Sequence, residues 1–301
     1  MRHRRVGRLA LGLALTVLAA TVPAGGAGAA ERPPCGWRSA PPDHWDHVVW
    51  IWMENKNYDQ VIDDRSAPFT TWLAHECGRT KKYSSVGGPS LPNYLGATSG
   101  DTHGIHDDDD PAAHHLSADN IFRQVRHSGR PSRTYAESMP QACALENRGR
   151  YAVRHNPAAY YVGANDRAAC RKDDVPLDGS ARQLQDDVDH WKLPAFTVVV
   201  PNVCHDTHDC DVGAGDRWLG SWLWRLWTSD LYKDGKTAVF IVWDEPTPMP
   251  NVVMSPSTPA GKTVEEGFDH YSLLRTAEEV LRLPLLGRAR NARSMRGPFR
   301  L

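Results

Sequence analysis

The chain has 301 residues, of which 41% are hydrophobic, with 35 Lys and Arg against 36 Asp and Glu and a formal charge of −1. Such a length buries a large core. The near-even charge balance argues against a protein that grips a phosphate backbone, so no nucleic-acid partner is expected.

The first thirty residues read as a targeting segment. "MRHRRVGR" is basic, "LALGLALTVLAATV" is apolar but too short to span a bilayer, and "AGGAGAA" offers small residues for cleavage. A secretory signal over 1–30 is expected, with a single domain over 31–301 and a secreted, extracellular location. The pair Arg4-Arg5 resembles a twin-arginine signal, although the residues after it fit loosely and the export route stays open. Removing the segment takes four arginines and no acid, leaving 31 basic against 36 acidic side chains, a balance of −5. No other stretch is apolar and long enough to cross a membrane, so no stable membrane insertion is expected.

"HVVWIWM" (47–53) reads as a strand buried on both faces, "APFTTWLAHEC" (67–77) as a helix and "KKYSSV" (81–86) as a weaker strand. After "GGPSLPNYLGATSG" come a helical "ADNIFRQVRHSG" (118–129) and an extended "SRTYAE" (132–137). Residues 138–180 have no clear period and read as loops. A helix over 181–191, a buried strand over 195–202, a helix over 215–232, a strand over 236–245 and a helix from His270 stopped by Pro284 complete the chain. This alternation predicts a three-layer α/β fold, a mostly parallel sheet with helices on both faces. In the Trp-rich helix, Trp218, Leu219, Trp222, Leu223, Leu226 and Trp227 form one apolar stripe for the core, leaving Trp224 as the side chain that would suit a membrane surface.

Six cysteines follow the signal: Cys35, Cys77, Cys143, Cys170, Cys204 and Cys210. In an oxidising compartment they suggest up to three disulfides with 15 pairings, Cys204 with Cys210 being the first choice. The rival reading is a zinc site combining those two thiols with His205 and His208.

Three buried strands end in polar groups: Glu54-Asn55, Asn202 followed by "CHDTHDC", and Asp244-Glu245. In parallel sheets the ligand crevice lies beyond the carboxyl ends of the strands, so these groups should share a rim. Glu54, Asp206, Asp244 and Glu245 crowded there repel one another, which a cation relieves; His205, His208 and Asn55 join them. Oxygen donors suit a hard or borderline divalent ion, and histidines widen the choice toward zinc or iron. Each acid taken singly is equally well read as a helix cap. In "GGPSLPNY", the glycines allow a sharp turn, Ser90 is placed as an N-cap, and the helix start suits a phosphate or sulfate. A hydroxyl there facing a metal is also an activated nucleophile. The run "HDDDDPAAHH" (106–115) has ligand-like composition but reads as a solvated loop.

"MENKNYD", "PSLPNYLGATSG", "PNVCHDTHDC" with "GDRWL", "VWDE" and "DHYSLLRTAEEVLRLP" together resemble the bacterial phosphoesterase family, which joins secreted acid phosphatases with phospholipase C type enzymes within the alkaline phosphatase superfamily. The likeness runs in one order from 47 to 284 and is greatest to mycobacterial secreted acid phosphatases acting on phosphoinositides. It implies an alkaline-phosphatase-like fold and a metal held by Glu54, Asn55, Ser90, Asp244 and Glu245, the second acid of the last pair often being Asp in the family. It further implies Ser90 as nucleophile and Asn93 as the amide holding a phosphoryl oxygen. His103, His155, Asp206, His208 and His270 are then candidates for holding the phosphoryl group, protonating the leaving group, or binding a second ion.

The expected reaction is a two-step phosphoryl transfer through phosphoserine, catalysed by one or two divalent ions on a phosphate ester such as a phosphoinositide head group. The alternative enzyme is a phospholipase C or phosphodiesterase. A secreted binding module that kept its metal and lost turnover is the alternative of another class.

Overall fold

The computed structural model describes residues 32–301; the expected signal segment at 1–30 lies outside the described residues. The first half of the chain runs β1 (His47–Met53), α1 (Pro68–Glu76), β2 (Gly78–Thr80), β3 (Tyr83–Ser84), α2 (Ser90–Ser99), α3 (Ile121–His127) and β4 (Ser132–Glu137). Then come α4 (Asp166–Asp173), β5 (Asp174–Leu177), α5 (Arg182–Asp189), β6 (Phe196–Val200), α6 (Val212–Thr228), α7 (Asp230–Lys233) and β7 (Thr237–Trp243). The last elements are β8 (Asn251–Met254), β9 (Lys262–Val264), β10 (Phe268–Asp269), α8 (His270–Val280) and α9 (Arg296–Phe299).

Eight strands form one sheet in the order β5-β4-β6-β1-β7-β8-β2-β9, and only β8 runs against its neighbours. The sheet is therefore mostly parallel, as expected. Its centre is β6-β1-β7, where every residue but His47 is buried, which explains why these strands read as unbroken apolar runs. Successive strand residues point to opposite faces, and β1 shows what covers each. The Trp52 ring meets Tyr94 of α2 at 4.5 Å and His270 of α8 at 5.2 Å. The next residue, Met53, lies against Gly215 of α6, where a Cβ would stand 2.9 Å from the Met53 Cε. Helices thus cover both faces.

α1 and α6 are tied by Asp216, whose carboxylate accepts the Phe69 and Thr70 amides at 3.0 and 2.7 Å and so caps α1, whose own N-cap Ala67 has no side-chain acceptor. In the Trp-rich α6, Trp218 and Trp222 are buried and Trp224 is exposed. The helix starts earlier than its periodicity suggested, because Asp211 caps it by accepting the Ala214 amide.

Two regions differ from the sequence reading. Residues 138–180 contain α4 and the edge strand β5 besides loops. The weak strand at 81–86 shrinks to β3, which pairs with β10 outside the main sheet, and it is β2, just before it, that joins the sheet. The six cysteines pair as Cys35–Cys77, Cys143–Cys170 and Cys204–Cys210. With no free thiol among the described residues, the zinc reading that used Cys204 and Cys210 is overturned.

Candidate active site

β1 delivers Glu54 fully buried at its carboxyl end. Its amide donates to the Asp206 carbonyl at 2.7 Å, and its carbonyl accepts the Thr207 hydroxyl at 2.7 Å, so the loop after β6 is stitched to the end of β1. Gly215 makes this possible: a Cβ there would stand 2.5 Å from Thr207 and 2.7 Å from the His205 carbonyl. Asn55 follows in the left-handed region, which asparagine tolerates, and its amide donates to Asp244 Oδ1 at 3.1 Å. Lys56 locks both left-handed residues by donating to the Thr207 carbonyl at 2.6 Å and the Asn55 carbonyl at 3.2 Å.

Ser90 is the first residue of α2 rather than its cap; Pro89 holds the N-cap position. The hydroxyl, buried, therefore turns away from the helix and donates to Glu54 Oε2 at 3.2 Å. Tyr94, one turn further along α2, donates its phenol to Glu54 Oε1. Its ring stacks on His155, whose Nδ1 donates to Asp206 Oδ2 at 3.1 Å. The His155 Nε2 approaches Glu54 Oε1 at 3.4 Å without a hydrogen bond. Glu54, Ser90, His155, Asp206 and Asp244 thus meet at the carboxyl ends of β1, β6 and β7.

Electrostatics at this rim are those of crowded, buried acids. Burial, then Asp244 and Asp206, push Glu54 well above the usual carboxylate range. Burial raises Asp244 to about 6 and Asp206 to about 7, hydrogen bonds offsetting part of the effect. Glu245, half-buried, rises to about 7 through burial and then the neighbouring Asp244 and Asp108. His155 is pushed well below its ordinary value by burial, Arg154 and His208, so its imidazole is neutral. Asp244 Oδ2 is buried without any partner. An orphan carboxylate oxygen among mutually repelling acids fits a divalent ion, and the residues able to hold one are Glu54, Asn55, Ser90, Asp244 and Glu245. The tightest groupings of metal-binding side chains among the described residues lie elsewhere: Asp107, Asp109 and His114 in the acidic loop, and Asp174 beside Cys143 and Cys170, whose thiols are consumed by their disulfide.

Several expected residues sit differently. Asn93 Oδ1 accepts the Val86 and Gly87 amides at 2.9 and 3.0 Å, and its Nδ2 donates to Glu245 Oε2 at 3.3 Å. It shapes the turn before α2 and holds Glu245, so its amide is already engaged. His270 uses both nitrogens internally, accepting from the Tyr83 hydroxyl at 3.2 Å and donating to the Asp244 carbonyl at 2.9 Å. Burial lowers it to about 4, and through the Asp244 carbonyl it braces the end of β7. His103 bonds Ser99 at the opposite end of α2, a helix of ten residues and so about 15 Å long, and does not reach the site. His205 donates to Glu137 at 2.8 Å and stacks on Trp218, away from the acids. His208 stays at the rim, its Nε2 accepting from Arg154 at 3.2 Å and its Nδ1 donating to Asp209 at 2.6 Å.

Sequence reasoning passed over Tyr94, Lys56, Arg154 and Asp108. Tyr94 had a signal, since it lies four residues after Ser90 on the same helix face. Asp108 was hidden within a run of four aspartates.

The pattern of the phosphoesterase family matches residues 63–247. The phosphatidylinositol-3-phosphatase of Mycobacterium tuberculosis is 27% identical over 282 residues, covering 92% of this chain and 89% of its own. A probable acid phosphatase of Kluyveromyces lactis is 28% identical over 79% of this chain, which spans only 58% of that protein. In three dimensions a Vibrio parahaemolyticus protein of the alkaline phosphatase superfamily superposes with a TM-score of 0.53 at 11% identity, covering 90% of this chain and 76% of that one. The chain therefore belongs to the phosphoesterase family, a phosphoric ester hydrolase on the alkaline-phosphatase type of α/β fold.

Proposed function

We propose that this protein is a secreted, metal-dependent phosphomonoesterase that works through a phosphoserine at Ser90. The observation that carries the reading is the placement of the Ser90 hydroxyl: buried, at the first residue of α2, donating to Glu54 and beside the orphan Asp244 Oδ2. A divalent ion bound by Glu54, Asn55, Asp244 and Glu245 would favour the Ser90 alkoxide and offset the charge of the phosphoryl group. The protein's own groups do the rest. Glu54 orients the nucleophile, Tyr94 fixes Glu54, and His155 and Asp206 close the buried side of the site. His208, at the rim, is assigned the protonation of the leaving alcohol, which requires a proton on the Nε2 that here accepts from Arg154. The relative named a phosphatidylinositol-3-phosphatase supports a phosphoinositide head group as one substrate. Three disulfides fit export to an oxidising compartment, and among the described residues no helix is long and apolar enough to cross a membrane. Residues 31–301 are read as one catalytic domain.

The test is hydrolysis of p-nitrophenyl phosphate and of bis-p-nitrophenyl phosphate by the purified mature protein, with and without chelator, beside Ser90→Ala. Preference for the monoester, loss on chelation, and a drop in kcat of about a thousandfold or more in Ser90→Ala are expected. Preference for the diester would move the assignment to a phosphodiesterase, and full activity of Ser90→Ala would remove the nucleophile.

A further inference from the structure

The acidic run Asp107 to Asp110 does not simply float in solvent. Asp108 Oδ1 accepts the Leu91 amide at 2.8 Å, the backbone donor immediately after Ser90 at the start of α2. Its Oδ2 faces the Arg154 Nε at 3.6 Å, and Arg154 also donates to His208. A free amide at a helix start and a guanidinium are the donors a phosphate selects. Here a carboxylate holds both. Its charge is felt at Glu245 and at His155, so it lies within the field of the site. Asp244 Oδ2 and His155 Nε2, both buried in the acid site that holds Ser90, the residue before Leu91, lack any partner, which marks that site as built for a ligand.

Resting on the phosphatase reading, we propose that Asp108 is a substrate-mimicking carboxylate: it fills the pocket formed by the Leu91 amide and the Arg154 guanidinium, and the phosphate of the substrate must displace it. A dianionic phosphate cannot share these donors with a carboxylate, because like charges at contact distance repel. Exchange requires little movement. The loop is pinned on either side of Asp108, by Asp107 accepting from His114 at 2.5 Å and by the Asp109 carbonyl accepting from the Tyr160 hydroxyl at 3.0 Å. Both Asp108 and Arg154 keep some solvent exposure, 31% and 19% of the side chain, so an incoming anion can reach them. The consequence is weaker binding of free phosphate, hence easier product release, with Arg154 as the residue that gains its proper ligand only when substrate arrives.

Inorganic phosphate tests this in two ways: as a competitive inhibitor of p-nitrophenyl phosphate hydrolysis, and by calorimetry on the metal-loaded Ser90→Ala protein, where turnover plays no part. Asp108→Asn keeps the acceptor for the Leu91 amide while removing the charge, so the helix start stays capped, and Asp108→Ser removes the charge and leaves a shorter hydroxyl acceptor. Both are expected to bind phosphate about tenfold or more tightly, and Arg154→Met about tenfold or more weakly, at unchanged Tm. Unchanged or weaker phosphate binding in the two folded Asp108 variants would overturn the proposal. A wild-type protein that binds phosphate but hydrolyses neither ester would sink the phosphatase reading instead, while the calorimetric comparison would still decide the role of Asp108.

Discussion

Glu278, in the last turn of α8, is fully buried and offers a stability test independent of catalysis. Its Oε1 accepts the Leu286 amide at 2.9 Å, but Oε2 has no partner, and neither has Gln124 Oε1, whose side chain lies within hydrogen-bonding reach. A proton on Glu278 supplies the missing donor. Burial accordingly raises this carboxyl from its ordinary 4.5 to about 8, against the opposing effects of the Leu286 amide, Gln124 and Arg290. Because the folded form holds the proton more tightly than the unfolded chain, the stabilisation is fully present below about pH 4.5 and is lost as pH rises toward 8. Between pH 5 and 8 that linkage amounts to about 3 kcal/mol. Glu278→Gln keeps the shape and the acceptor for Leu286, gives Gln124 a permanent donor, and has no proton to lose. Urea unfolding of wild type and variant at pH 5 and pH 8, disulfides intact, should show the variant gaining on the wild type by that amount at the higher pH. A difference that stays constant with pH, or that turns against the variant at pH 8, would refute the reasoning.

The histidines divide sharply in their expected effects. His103→Ala, at the far end of α2, should leave kcat/KM for p-nitrophenyl phosphate within about twofold of wild type, whereas His155→Ala, which empties the buried contact between Tyr94 and Asp206, should lower it by about a hundredfold or more. Cys35→Ala with Cys77→Ala opens a link between residues 42 apart in sequence, and urea unfolding should report a loss of about 4 kcal/mol.

How far the sequence carried depended on whether a residue's role follows from its neighbours in the chain. β1 and β4 are legible to the residue, because apolar runs and alternation are local signals. The meeting of Glu54, Asp206 and Asp244 was also legible, since strand ends of a parallel sheet must share an edge. β5 was not: "DVPL" is four residues long, contains a proline, and becomes a strand only by pairing with β4. β8 and β9, of four and three residues, were illegible for the same reason. Among the histidines, composition marks chemistry but not direction. His270 and His205 point into supporting contacts with Tyr83 and Glu137, which sequence spacing does not encode. Asp108 is the converse case, a residue whose charge run promised solvent and whose position, set by a turn of the loop, brings it to Leu91.

All ten residues of α2 are buried, from Ser90 to Ser99. A helix enclosed on every side has no low-energy path along which to slide or tilt, since any displacement opens voids around it. The hydroxyl at its tip is therefore fixed to the interior as firmly as a core side chain, and binding cannot improve its aim. Adaptation to substrates of different bulk falls to the loops around it, which makes 101–120 and 138–165, apart from Asp108, Arg154 and His155, the places to vary when selectivity is to be changed, and α2 the place to leave alone.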